Sequence, residues 1–258
     1  SELLSDFTTA LSDAPDPKIA QQQAEKVLAL MSSVLNGNLN GEHLFAGINT
    51  DVRPLNDFLD VTSPNRVAFD TAFTTHFGFS PDDPAAEAIT TAQMDAFLTA
   101  VEPQFLGADW NANWSNATDQ QITSRITLTE TAQTSVSANI PAFRKLAMAA
   151  ATVAATFGGE LGRAGREAVL EHAMGQLGQA ITDLANQQGY TGITQQRIEK
   201  ANERMSMQVD LFTNSIRDLE GVDELEAVSR VKGLEAQIEI SYALTARIQQ
   251  LSLLKYLS

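Results

Sequence analysis

Apolar residues in the second half of the chain recur every three or four positions, as they do on one face of an α-helix. From Thr194 to about Leu219 the intervals are 3, 4, 4, 3, 4 and 3, the pattern of a coiled-coil stripe with one stutter. A helix in a globular core gives the same spacing, but the length of the segment and its lack of proline favour a rod. We therefore predict that the stripe lies in the core of a helical rod; its main residues are Ile198, Met205, Val209, Phe212 and Ile216.

A second apolar stripe follows a predicted helix break at Gly221. Between residues 240 and 258 only Arg247 and Lys255 are charged, so this segment is too apolar to remain exposed as a lone helix. We expect a partner to cover it, and we call residues 222–258 the assembly tail. Its apolar residues are Leu225, Val228, Val231, Leu234, Ile238, Ile248, Leu251 and Leu254.

Two shorter helices are predicted near the amino terminus, the first with an apolar face over residues 3–11. Asp16 and Pro17 are a favourable N-cap and first-turn pair for the second helix, which the turn at 36–38 ends. Residues 42–48 form a short β-prone stretch after that turn. The apolar face of the second helix includes Val27, Met31 and Leu35.

The middle of the chain differs in composition from both ends. Residues 51–120 contain five of the eight prolines, seven of the twelve phenylalanines and both tryptophans, with eleven acidic residues against two arginines. Helix starts are predicted at 80–83 and in a capping box at 90–93, and residues 121–137, rich in Thr, Ile and Val, predict two short strands. We expect a mainly α protein with a discontinuous helical domain (1–50 and 138–221), an inserted acidic α+β domain (51–137) and the tail.

Charge and composition exclude several classes of function. With a net charge of -15, the chain lacks the basic surface that binding to nucleic acids or anionic membranes requires. The chain has no cysteine, which excludes disulfides and thiolate metal sites, and no apolar run of the length that spans a bilayer. The sequence as given also begins without a cleavable secretory signal.

Candidate catalytic and ligand-binding motifs are weak. The histidines His43, His76 and His172 are far apart and form no helical metal pair. The glycines between 158 and 165 lack the P-loop ending, so they indicate a junction between helices. The aspartates of the middle segment do not follow the order of a calcium loop and indicate a solvated acidic face. We predict no catalytic, cofactor or metal residue, and no enzyme activity.

Residues 167–242 resemble the carboxy-terminal region of bacterial flagellins and flagellar hook-associated proteins. The resemblance is most specific over residues 177–201 and over the Ser-Ile-Arg-Asp to Val-Ser segment at 215–229. The ending Ile-Gln-Gln-Leu-Ser-Leu-Leu-Lys-Tyr-Leu at 248–257, and the Gly-Glu-His-Leu-Phe-Ala-Gly stretch that leads to Pro54, are most similar to the members of the family at the junction between hook and filament.

This resemblance implies an extracellular structural subunit, exported through the flagellar type III channel without a cleaved signal, that joins hook to filament. It implies a flagellin-like rod in which 1–50 packs on 165–220, an inner tube formed by the tail, and an outward middle domain. The implied partners are further copies of the chain, hook-associated protein 1, flagellin and an export chaperone, and neither nucleic acid nor a membrane. No cofactor is implied.

Family members also carry a long helix ahead of the segment that corresponds to residue 1, and the resemblance implies that it pairs with the carboxy-terminal helix. Two alternative functions remain open from the sequence. One is a filament flagellin, and the other, from a different class, is an extracellular binding or adhesin module that acts through the middle domain.

Overall fold

The computed structural model describes residues 2–12 and 16–256, with side chains described for 4–12 and 16–250. Its helices are α1 (Glu2–Ser12), α2 (Pro17–Leu35), α3 (Pro64–Phe77), α4 (Thr91–Leu106), α5 (Pro141–Thr156), α6 (Arg163–Glu220) and α7 (Glu224–Tyr256). Two antiparallel hairpins pair β1 (Asn38–Leu39) with β2 (Glu42–His43), and β3 (Thr123–Arg125) with β4 (Thr131–Gln133). The expected mainly α fold with a long carboxy-terminal helix and small hairpins is confirmed.

Local sequence signals set most of the helix starts. The Asp16 carboxylate accepts a hydrogen bond from the backbone N–H of Lys18 at 3.0 Å, and Pro17 opens α2. At α4, the Thr90 hydroxyl and the Gln93 side chain accept from each other's backbone N–H groups, which confirms the predicted capping box. The strands expected within 121–137 are also present, whereas the β-prone stretch at 42–48 is a strand only at Glu42–His43.

The chain divides into two compact units, Ser1–Ile198 and Glu199–Ser258. In the first unit α5 is the central helix, because every side chain from Leu146 to Thr156 is buried. These residues are mostly alanine, so α2 and α4 can both pack closely against α5.

The aromatic residues of the middle segment do not form a core of their own. They belong to one hydrophobic cluster that also includes α1, α2, α5 and the first turns of α6. Within Ser1–Ile198, residues 51–137 therefore share one core with residues 1–50 and α5, since the small side chains of α5 offer one surface to the amino-terminal helices and another to α4. Composition identified the aromatic segment but not the helix that it packs on.

Three aromatic rings in this core are stacked in parallel, with an arginine at each end. Phe58 lies on Trp114 with ring centroids 5.0 Å apart, and Trp114 lies on Trp110 at 5.3 Å. Arg66 covers the Phe58 ring at 5.4 Å and Arg144 covers the Trp110 ring at 5.5 Å. This stack joins the start of α3, the π-helical turn Trp110–Trp114 and the first turn of α5.

The glycines at 158–162 lie between α5 and α6, as expected of a junction between helices. A Cβ added at Gly162 would overlap the carbonyl oxygen of Glu87, and one at Gly159 would overlap that of Pro81. Glycine is required here because the backbone of the junction passes directly against the backbone of residues 81–87. Beyond the junction, α6 runs for 58 residues. Its internal glycines weaken a helix but, unlike proline, do not end it.

Candidate assembly surface

The second unit, Glu199–Ser258, consists of the last part of α6 and of α7. The two helices are separated at Gly221, as predicted, and Asp223 starts the second one by accepting hydrogen bonds from the backbone N–H groups of Leu225 (2.9 Å) and Glu226 (3.3 Å). Between residues 202 and 250 every side chain except that of Ala227 is exposed. This unit therefore presents its apolar residues to solvent.

The α6 stripe is mostly exposed in the described part of this chain, and its place in the core of a helical rod remains a prediction. Val209 is 61% exposed and Phe212 is 63% exposed; Met205 and Ile216 are exposed as well, and Ile198 is half-buried. The spacing correctly identified an apolar helical face. A periodic stripe does not state what covers it, however.

The three amino-terminal residues assigned to the rod have a different environment. Val27, Met31 and Leu35 are buried, where α2 packs on α1 and α5. The expected neighbour was the segment 165–220, so their burial is explained by a different helix pair. Their part in the core of an assembled rod remains a prediction.

The stripe of the assembly tail is also exposed. Leu225 is 83% exposed, and Val228, Val231, Leu234, Ile238 and Ile248 retain at least half of their accessible surface. The side chains of Leu251 and Leu254 lie outside the described residues. Covering one such half-exposed side chain contributes about 1 kcal/mol to association, so a dozen of them provide a strong drive to find a partner.

Other exposed apolar side chains of this unit were missed by the stripe analysis. Met207 and Leu211 lie four residues apart on α6, and Ile240 and Leu244 lie four apart on α7. The same helical spacing would have revealed them had more than one face been considered. The apolar surface is therefore wider than a single seam, which suits contact with more than one neighbouring helix.

Charged side chains are unevenly distributed on this surface. The exposed Arg230 guanidinium contacts the Glu226 carboxylate at 2.9 Å, one turn apart on α7. From 240 to 250, in contrast, Arg247 is the one charged residue, so the end of α7 is the most apolar part of the surface.

The histidines and acidic residues considered as candidate ligands lie in structural positions. His43 Nδ1 is 3.0 Å from the carbonyl oxygen of Asn36, and His76 packs edge-on against Phe77 and Phe97. Partial burial lowers the pKa of the His172 imidazole, because desolvation disfavours its charged form. Within the described part of the chain, no three His, Asp or Glu side chains are grouped as a metal site.

The comparisons with known proteins bear on this surface. Residues 174–257 match the family model of the bacterial flagellin C-terminal helical region. Neither the curated proteins nor the solved structures that were searched gave a match to the chain. Across the described residues, no helix combines the length and the apolar character needed to cross a membrane.

The family match and the exposed surface coincide. The matched residues include most of α6 and α7, and with them the whole of the apolar surface described above. Flagellins are structural proteins that self-assemble with other flagellar proteins and are exported to the extracellular flagellum, rather than enzymes. Over residues 174–257 this chain is therefore similar to the C-terminal helical region of bacterial flagellins.

Proposed function

We propose that the protein is a structural subunit of the bacterial flagellum that assembles through the apolar surface of residues 199–250. The observation that supports this most directly is that the helices matching the flagellin C-terminal region are also those whose large apolar side chains remain uncovered. A surface of this size is unfavourable in water and is stabilised when helices of neighbouring subunits cover it.

Within the flagellum, we propose a place at the junction between hook and filament, with hook-associated protein 1 on one side and flagellin on the other. The support for this finer assignment is the similarity of residues 41–54 and 248–257 to junction members of the family. In the assembled state the amino-terminal helices and α6 would form the rod, and the tail would line the inner tube. Filament flagellin is the alternative.

A pair of charge substitutions tests the use of the surface. Phe212→Asp adds a charge to the centre of the α6 stripe, and Asn214→Asp adds the same charge two residues away at an exposed polar position. Because both side chains are exposed in the single chain, neither variant should change the melting temperature of the isolated protein. Phe212→Asp should abolish incorporation into flagella and release the subunit into the medium, while Asn214→Asp should assemble.

The result against the proposal is normal incorporation of Phe212→Asp, or equal loss in both variants. Release into the medium distinguishes a failure of assembly from a failure of export, since an unexported chain stays in the cell.

Immunogold labelling of wild-type flagella then distinguishes a position at the hook–filament junction from a position along the filament. A label confined to the hook end supports the junction, and a label along the whole length establishes the filament alternative.

A further inference from the structure

A groove of about 490 Å³ lies between the β3–β4 hairpin and α6, within the first unit. On the hairpin side it is lined by Gln121 and Gln133, and on the helix side by Gln187 and Tyr190. Its size falls in the range of small-molecule sites. On α6 its lining residues, 187–197, precede the assembly surface, and the groove is not explained by the proposed function.

Three glutamines with half-buried or exposed side chains line this groove. Gln121, Gln133 and Gln187 make no side-chain hydrogen bond to any other residue of 2–12 and 16–256. Each primary amide offers two donors and one acceptor with two lone pairs. The groove thus presents a cluster of uncharged hydrogen-bonding groups that water or a polar ligand must satisfy.

The one charged side chain that lines the groove is already neutralised. Arg197 donates from Nε (3.0 Å) and Nη2 (2.8 Å) to the same oxygen of Glu130, at the turn of the hairpin. It also donates to the carbonyl oxygen of Thr131 at 3.4 Å. These bonds hold the hairpin to α6 and leave the groove without a free cation, so it is poorly suited to phosphates and carboxylates.

An aromatic ring and an aliphatic side chain complete the lining. Tyr190 is 68% exposed, and Ile193 lies beside it on α6 at 58%. An exposed ring at the edge of a polar groove can pack on the C–H face of a pyranose, while amides and hydroxyls bind its equatorial oxygens. We infer that the groove binds a neutral saccharide, with the amides of Gln121, Gln133 and Gln187 holding its hydroxyl groups.

The test is a titration of the intact chain with lactose, chitotriose and maltotriose, followed by saturation-transfer-difference NMR. A half-open groove should bind at least one of them with a dissociation constant of about 1 mM. Gln187→Ala and Tyr190→Ala should each weaken this binding fivefold or more. Gln188→Ala, the same change at the next exposed residue of α6, should alter it less than twofold.

Two further probes decide the chemistry of the ligand. Sialyllactose should bind no better than lactose, because the groove has no free cation, and a blocked tetra-alanine peptide should bind more weakly than the sugars. In the wild-type protein, the side-chain NH₂ resonances of the three glutamines should shift on saturation, which tests the site without any variant.

The inference is overturned if none of the three sugars binds at 20 mM, about twentyfold above the expected constant. It is overturned equally by binding that Gln187→Ala and Tyr190→Ala leave unchanged. Preferential binding of sialyllactose, or of the peptide, would replace the neutral saccharide with another class of ligand.

Discussion

Arg144 should be the most important charged residue for the stability of the first unit. It lies over the Trp110 ring at one end of the aromatic stack and donates from Nε to the carbonyl oxygen of Phe105 at 2.6 Å. Its Nη2 donates to the carbonyl oxygen of Gly107, so both bonds satisfy acceptors at the carboxyl end of α4. Burial lowers the pKa of the guanidinium, because desolvation disfavours its charged form.

The substitution Arg144→Met keeps the apolar stem and removes the charge. Each hydrogen bond from a charged donor contributes about 1.5–3 kcal/mol, and a cation over an aromatic ring adds about 0.5–1 kcal/mol. After desolvation is subtracted, we expect a loss of about 3 kcal/mol in the free energy of unfolding. With a urea dependence of about 3 kcal/mol per molar, the unfolding midpoint should fall by about 1 M.

Arg66→Met is the matched control at the other end of the stack. Arg66 covers the Phe58 ring but makes its ion pair with Asp70 at a partly exposed position, where such pairs contribute about 0.2–1 kcal/mol. Tryptophan fluorescence is a suitable readout, because both tryptophans of the chain lie in the stack. A midpoint for Arg144→Met equal to that of Arg66→Met would refute the reasoning.

Three other outcomes follow from the structure. Gly162→Ala places a Cβ against a backbone carbonyl and should destabilise the folded protein by about 1–3 kcal/mol. Gly175→Ala, at an open helical position, should stabilise it by up to about 1 kcal/mol. Thermal melts in which the two variants shift the melting temperature alike would contradict this. Deamidation at pH 8 should be faster at the exposed Asn40-Gly41 turn than at Asn36, because the Asn36 side chain is hydrogen-bonded to both the N–H and the carbonyl of Leu55. Equal deamidation rates at the two sites in peptide mass mapping would contradict this. His172 has a folded-state pKa below its unfolded value of 6.5, so the stability present above pH 6.5 should be lost as the pH falls through the folded pKa. In urea titrations, His172→Gln should remove this pH dependence of the unfolding free energy. A wild-type unfolding free energy that is constant from pH 7 to 5 would contradict the prediction.

Features that depend on a few consecutive residues could be predicted from the sequence. The start of α2 at Asp16-Pro17, the capping box at Thr90 and the break at Gly221 are local arrangements of backbone and side chain, so neighbours in the chain determine them. The type I′ turn at Asn40-Gly41, where both residues have positive φ, could also have been predicted from its Asn-Gly sequence but was not.

Features that depend on distant residues could not be predicted in this way. The abundance of aromatic residues in 51–120 indicated a core, but only the fold placed Arg144 on Trp110 and the alanine surface of α5 beneath α4. The groove beside Tyr190 likewise joins a hairpin and a helix that are more than fifty residues apart.

The sequence by itself determined that α6 and α7 are helices and that each has an apolar face, because helical spacing is a property of the chain. Only the tertiary structure decided which of these faces are covered. Val27 and Phe212 both occupy apolar stripes at helical spacing, yet one is buried against α5 and the other is exposed. The hydrophobic effect requires that apolar surface be removed from water but does not specify whether the same chain or another one covers it.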